Sequence, residues 1–163
     1  NGLSLTSALK TLRAYAPRKL ICVFGSVGER TQLRRRELAE ASSAYADFSI
    51  LTSDNPDHED PAAITAEIAQ HMAPGAPYKI VVDRTEAIRE AVAMTQPGDI
   101  VLFAGLPADQ RRENALCGAG YHSFRLQGNA IINQKRAPHH SDAGRVLSLD
   151  HCSYCSAKAI ILL

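Results

Sequence analysis

The sequence contains no apolar run of the roughly 18 to 20 residues that a membrane-spanning helix requires. It also lacks a charged segment followed by an apolar one, which would indicate secretion. There is no polybasic tract either: 18 lysines and arginines face 17 acidic residues, for a net charge of +1. A surface close to neutral gives no electrostatic reason to expect binding to nucleic acid or to an anionic membrane. These absences predict a soluble cytoplasmic protein that binds neither.

Cysteine is scarce, with four in 163 residues, so a disulfide framework is not expected. Cys22 lies inside an apolar run and is predicted to be a small buried hydrophobe. Cys152 and Cys155 have the spacing of zinc ligands, but no second pair of this kind completes the set. Free thiols are the preferred interpretation, with a structural zinc site as the alternative. Candidate partners in such a site are Cys117, His122, His139, His140 and His151.

The pattern G-x-x-x-x-G-K-[ST], whose loop cradles nucleotide phosphates, is also missing. We therefore predict that the 163-residue chain alone turns over neither ATP nor a ligase substrate. A start at Asn1 rather than Met is typical of a fragment cut at a domain boundary. The length fits one domain with a substantial core.

Helix-like and strand-like segments alternate from residue 4 to about residue 105. Strands that alternate with helices predict an α/β fold, with a Rossmann-like, mostly parallel sheet and flanking helices. Asp60 before Pro61, and Asp83 three residues before Glu86, are helix-start signals. Residues 1–105 are expected to form the core of the domain, and 106–163 an atypical tail whose short segments could complete the sheet edge. The predicted strands are 19–24, 47–51, 78–82 and 99–104, with weaker candidates at 121–126, 130–133 and 159–163.

Polar residues follow each of the four predicted core strands. In an open parallel sheet, ligands bind where the carboxyl ends of the strands meet. Arginine pairs with a carboxylate or phosphate, and carboxylates pair with an amine, so this edge suits an anionic or zwitterionic ligand. The residues concerned lie in 25–36, 52–60, 83–84 and at Gly105.

Each of these pieces also has a purely structural interpretation. Gly25 and Gly28 lack the full G-x-G-x-x-G spacing, so a plain strand-to-helix turn explains them. The three arginines at 34–36 could be a solvated helix turn, although a helix start usually prefers acidic residues. Asp54-Asn55-Pro56 is a common turn sequence. Periodicity and spacing alone thus predict an α/β domain with a ligand-binding edge.

The order of the pieces is more specific than any single one. The segments LICVFGSVGER (20–30), LTSDNPDHEDP (51–61), DRTEAI (83–88) and PGDIVLFAG (97–105) resemble the C-terminal domain of the Mur ligases, in particular the UDP-N-acetylmuramoyl-tripeptide synthetases. The resemblance runs from about residue 1 to 105. It implies a part of an ATP-dependent, amide-forming ligase of peptidoglycan precursor synthesis.

The resemblance also implies the reactants. The family uses ATP and Mg²⁺, bound mainly by a central domain, to phosphorylate the terminal carboxylate of UDP-MurNAc-L-Ala-D-Glu. The amine of a third amino acid, usually diaminopimelate or lysine, then attacks the acyl phosphate. The domain that this chain resembles carries the incoming amino acid.

Site residues are transferred by matching motifs. Arg30 matches the arginine that binds the amino acid's carboxylate, and Asp54 and Asn55 match the Asp-Asn-Pro motif of the amino-acid pocket. Gly105 matches the first glycine of the family's Gly-Lys-Gly-His-Glu motif. Arg35 falls at a basic position expected near the nucleotide phosphates.

Two positions depart from the family pattern. Asp57 stands where the diaminopimelate enzymes have arginine; an anion there would attract a distal amine and favour a lysine-like substrate. In place of Gly-Lys-Gly-His-Glu the chain has Gly-Leu-Pro-Ala-Asp, in which only Asp109 keeps an acid in register with the glutamate that holds the substrate amine. Either the chain is a diverged paralogue, with a non-catalytic amino-acid-binding or regulatory module as the alternative function, or the tail is a foreign or frame-altered sequence.

Overall fold

The computed structural model describes residues 1–29, 32–105 and 159–162, the last of these by its backbone only. In those ranges the chain forms helices and strands in alternation, as the sequence predicts. The elements are α1 (Gly2–Arg13), β1 (Leu20–Phe24), α2 (Gln32–Tyr45), β2 (Phe48–Leu51), α3 (Pro61–Gln70), β3 (Tyr78–Ile80), α4 (Arg84–Ala93), β4 (Ile100–Phe103) and β5 (Ala159–Leu162). The candidate strands at 121–126 and 130–133 lie outside these ranges.

The two predicted helix starts are confirmed. The Asp60 side chain accepts a hydrogen bond from the backbone N–H of Ala62 at the start of α3. The Asp83 side chain accepts one from the N–H of Glu86 at the start of α4. Each cap satisfies a backbone donor that has no partner within its helix, so these helices begin where the local sequence dictates.

The sheet is parallel throughout, with strand order β3-β2-β1-β4-β5. β1 is central, and Val23 pairs with Ile50 of β2 on one side and Phe103 of β4 on the other. The chain moves outward from β1 through β2 to β3 and then returns to the other side of β1 at β4. The strand order therefore reverses between β1 and β4, which is where ligands of such sheets usually bind.

Both faces of the sheet are covered. On one face α1, α2 and α3 pack against Cys22 and Phe24, among other side chains of the strands. On the other face α4 packs against Ile21, Val23 and neighbouring residues. Cys22 is fully buried in the first cluster, which confirms the prediction made for it. Its strand is buried at every position, as expected for a central parallel strand.

Within the described ranges, no helix is both long enough and apolar enough to cross a membrane.

Candidate functional site

The carboxyl ends of β1, β2, β3 and β4 meet at one edge of the sheet. We call the segments that follow these strands, 25–29, 52–60, 81–83 and 104–105, the rim. All four segments predicted to carry polar ligand-binding groups therefore lie at the same edge.

The segments after β1 and β2 are in direct backbone contact. The N–H of Gly28 donates to the carbonyl of Asn55 at 2.7 Å. A Cβ at Gly28 would lie 1.8 Å from the Pro56 carbonyl oxygen, and one at Gly25 would lie 2.3 Å from that of Thr52. Any side chain at these positions would collide with backbone, so the two glycines are required for the close approach of the loops. Their role here is to join the two loops, and they differ in this from a dinucleotide-binding turn.

A cluster of charged side chains holds the same two segments together. One Glu59 carboxylate oxygen accepts from the backbone N–H of Glu29, and the other accepts from Arg35 at 2.6 Å. Arg35 also donates to Glu67 of α3, and its side chain is only 5% exposed. The Arg35 guanidinium and the Glu29 N–H lower the pKa of Glu59. Burial alone would lower the pKa of Arg35, but Glu59 and Glu67 together raise it.

Arg35 was predicted to lie near nucleotide phosphates. The structure gives Arg35, in α2, two carboxylate partners: Glu67 in α3 and Glu59 in the loop after β2. Arg35 therefore links α2 to α3 and to the loop after β2. None of its contacts within the described ranges tests whether it also binds a nucleotide. The nucleotide role stays a prediction.

The structure brings Asp54 and Gly105 together, although β1 separates their strands in the sheet. Gly105 has φ +81°, and a Cβ on it would lie 2.7 Å from Oδ2 of Asp54. The Asp54 carboxylate is therefore packed against the Gly105 backbone on the side where other residues carry a side chain. These two predicted site residues share one place on the rim, next to the reversal in strand order.

Asn55 lies beside Asp54 and shapes its own loop. Its carbonyl accepts from Gly28, and its side-chain Oδ1 accepts from the N–H of Asp57 at 3.4 Å. The structural interpretation of Asp-Asn-Pro as a turn is thus correct as far as the backbone is concerned. The same turn sets the Asp54 side chain at the rim.

Asp57 lies close to Glu29 and His58 on the exposed surface of the rim. It has φ +53°, and its carboxylate, the Glu29 carboxylate and the His58 ring each offer an oxygen or nitrogen within 4.8 Å of the other two. All three residues are exposed. Two exposed carboxylates so close together would attract a positively charged group.

Arg84 directly follows the rim segment 81–83, at the start of α4. The sequence analysis counted it among the polar residues of the ligand-binding edge but gave it no role of its own. It is 6% exposed and donates to the carbonyl of Ser53 at 2.9 Å and to that of Ala104 at 3.2 Å. Burial lowers the pKa of its guanidinium, and the nearby Asp54 carboxylate opposes that shift. A basic residue at the first position of α4, where acids are preferred, was the available signal.

Arg30 and Asp109 lie outside the described residues, as do Cys117, Cys152, Cys155 and the four histidines of the tail. The roles predicted for them, and the alternative of a zinc site, stay predictions. Glu29, the residue before Arg30, belongs to the rim.

Comparison with known proteins gives the family. Residues 1–106 match the family model described as "Mur ligase, glutamate ligase domain". The chain belongs to this family, which confirms the resemblance read from the sequence.

Several relatives of this chain are ligases of one name. The chain is 45% identical over 103 residues to the UDP-N-acetylmuramoyl-L-alanyl-D-glutamate--2,6-diaminopimelate ligase of Syntrophomonas wolfei, covering 62% of this chain and 21% of the relative. It is 42% identical over 131 residues to the enzyme of the same name from Geobacillus thermodenitrificans, covering 80% and 24%. A solved structure of a ligase of that name matches with TM-score 0.61 and 38% identity, covering 64% of this chain and 22% of that one.

The matches cover different shares of this chain and of its relatives. The chain spans about a quarter or less of the length of these relatives. The match to the Geobacillus enzyme covers more of this chain than residues 1–105 can supply. The family model itself ends at residue 106, so the nature of the tail stays a prediction.

Proposed function

We propose that the chain is the amino-acid-binding C-terminal domain of an ATP-dependent ligase that adds the third residue to UDP-MurNAc-L-Ala-D-Glu in peptidoglycan precursor synthesis. The observation that carries the proposal is the packing of the Asp54 carboxylate against Gly105 at the reversal of strand order. Membership of the Mur ligase family supports it.

The chemistry assigned to the rim is positioning. Arg30 would hold the carboxylate of the incoming amino acid and Asp109 its amine. Asp54, Asn55 and Gly105 would line the pocket. Holding the amine against an acyl phosphate makes the attack effectively intramolecular, and this requires that water be excluded when the domains close. ATP and Mg²⁺ would be bound by a central domain, since the chain has no phosphate-binding loop of its own.

The incoming amino acid is proposed to be a diamino acid, lysine or diaminopimelate. The relatives are named as diaminopimelate ligases. The exposed carboxylates of Glu29 and Asp57 add a reason to expect a distal ammonium near them. On this ground the chain should prefer a substrate whose far end carries an amine without a carboxylate, as lysine does.

A second function has an observation in its favour. Gly-Leu-Pro-Ala-Asp replaces the family's Gly-Lys-Gly-His-Glu at 105–109, while Asp54 and Gly105 are in place. A domain of this kind could bind an amino acid without supporting catalysis, as a regulatory module of a diverged paralogue.

Binding by the 163-residue chain is the first test. Lysine and diaminopimelate are titrated into the ¹⁵N-labelled chain, with norleucine, which lacks the distal amine, as the ligand control. We expect the amides of Asp54, Asn55 and Gly105 to shift, and Asp54→Asn to abolish the shifts. Glu40→Gln on the exposed face of α2 is the matched carboxylate-to-amide control and should bind as wild type does. Absence of any shift with either diamino acid contradicts the proposed function.

Turnover separates the two functions. The chain is fused in place of the corresponding C-terminal segment of the Syntrophomonas wolfei ligase, and ADP release dependent on lysine or diaminopimelate is measured. Turnover by the fusion, and none by the 163-residue chain alone, is expected for a ligase domain. Binding without turnover in the fusion would favour the regulatory module.

A further inference from the structure

Arg84 is a buried cation in a place where helix energetics disfavour it. It stands at the first position of α4, next to the positive end of the helix dipole, and is 6% exposed. The Asp83 cap already satisfies the start of this helix. Because burying a charge is costly unless specific contacts compensate for it, helix formation does not account for Arg84.

The contacts of Arg84 connect two strand ends. One terminal amine donates to the Ser53 carbonyl and the other to the Ala104 carbonyl. Ser53 directly precedes Asp54, and Ala104 directly precedes Gly105. The planar guanidinium thus joins, through one rigid group, the two peptide units that carry the paired residues of the rim.

We propose that Arg84 is a positioning residue, which sets the separation between the Asp54 carboxylate and Gly105 by holding the carbonyl groups that precede them. Its effect on an amino-acid ligand is indirect, through Asp54 and Gly105, and that part of the proposal rests on the proposed function. Lysine cannot replace it, because a single ammonium is a point charge and does not fix two carbonyls in one plane.

The test compares Arg84→Lys and Arg84→Met with the control Arg89→Met in the 163-residue chain. Arg89 lies on the same helix, but its side chain is 53% exposed and pairs only locally with Glu86. Arg84→Lys keeps the charge and most of the length, so it stays informative if Arg84→Met fails to fold. Melting temperatures of all variants are measured in parallel.

The first measurement needs no ligand. We expect Arg84→Lys to move the backbone amide resonances of Asp54 and Gly105, while those of α1 and the first half of β1 keep their positions. The control should leave the Asp54 and Gly105 amides unchanged. A lower melting temperature in Arg84→Lys, with both amides unmoved, would show a merely stabilising residue and overturn the proposal.

The second measurement is affinity for lysine and diaminopimelate, far below the melting temperature. Loss of one well-placed, charge-assisted interaction should weaken binding by roughly tenfold or more. Wild-type affinity in Arg84→Lys would overturn the positioning role and leave the proposed function intact. If wild type binds neither amino acid, the proposed function fails, and the ligand-free shifts alone decide the role of Arg84.

Discussion

The carboxylate of Asp54 lies against the backbone of Gly105, so close that a Cβ at position 105 would be 2.7 Å from Oδ2. The two residues follow strands that are not neighbours in the sheet. A contact of this kind makes the rim sensitive to single-atom changes, and this sensitivity can be measured.

Gly105→Ala should lower the free energy of unfolding by more than the left-handed backbone conformation alone explains. Gly75 has nearly the same positive φ, +82°, but a Cβ there meets nothing within 4 Å. Both alanine variants therefore carry the left-handed conformational cost, roughly 1 kcal/mol, and only Gly105→Ala also displaces Asp54. We expect urea unfolding to give a larger destabilisation for Gly105→Ala, and amino-acid binding to be lost only there. Equal behaviour of the two variants would contradict the observed contact.

Substitutions of the adjacent residues Arg35 and Arg36 should have very different effects on the free energy of unfolding. Arg35 is buried between Glu59 and Glu67, whereas Arg36 pairs with Glu40 on an exposed helix face. Arg35→Met leaves two carboxylates without their partner, and we expect it to lower the free energy of unfolding by roughly 1 to 3 kcal/mol. Arg36→Met, the matched control, should not change it measurably. Urea titration at neutral pH checks both.

The contacts of Glu59 with Arg35 and with the Glu29 N–H predict how the free energy of unfolding changes with pH. The folded-state pKa of Glu59 lies below its ordinary value because Arg35 and the Glu29 N–H stabilise the carboxylate. A depressed carboxyl pKa adds stability above the unfolded pKa, near pH 4, and this contribution is lost as the pH falls through the folded value.

The comparison of Glu59→Gln with Glu40→Gln tests this direction. The urea midpoint of Glu59→Gln should lie below that of wild type at pH 7, and the gap should narrow by pH 3. Glu40→Gln should track wild type at both values. A gap for Glu59→Gln that is as wide at pH 3 as at pH 7 would be the contrary result.

The Cys22 thiol should not react with alkylating reagents in the folded protein. Burial raises the pKa of its thiol to about 12, with the Ser42 hydroxyl opposing the shift. Because the thiolate is the reactive form, iodoacetamide at pH 8 should leave Cys22 unmodified, as read by peptide mass spectrometry. The same peptide in urea should be fully alkylated; modification at equal rates in both conditions would mean that β1 is not buried.

Much of the fold was predictable because its signals are local. The apolar run around Cys22 predicted a buried residue in the strand 19–24. Asp60 and Asp83 marked helix starts through contacts within three residues of themselves. The sequence also placed Asp54 and Gly105 at one edge, since parallel strands end on the same side. Boundaries shifted by a residue or two, as at α1, which begins at Gly2 instead of residue 4.

By itself, then, the sequence determined the family, the alternation of strands and helices and the edge at which the polar groups gather, because each depends on residue order or on short-range backbone preference. Only the tertiary structure decided that Arg35 is held by Glu59 and Glu67, that Gly28 lets two loops touch, and that Arg84 joins the ends of β2 and β4. Those contacts depend on the order in which strands lie side by side and on distances of a few ångströms between segments far apart in the chain. No local pattern encodes such distances.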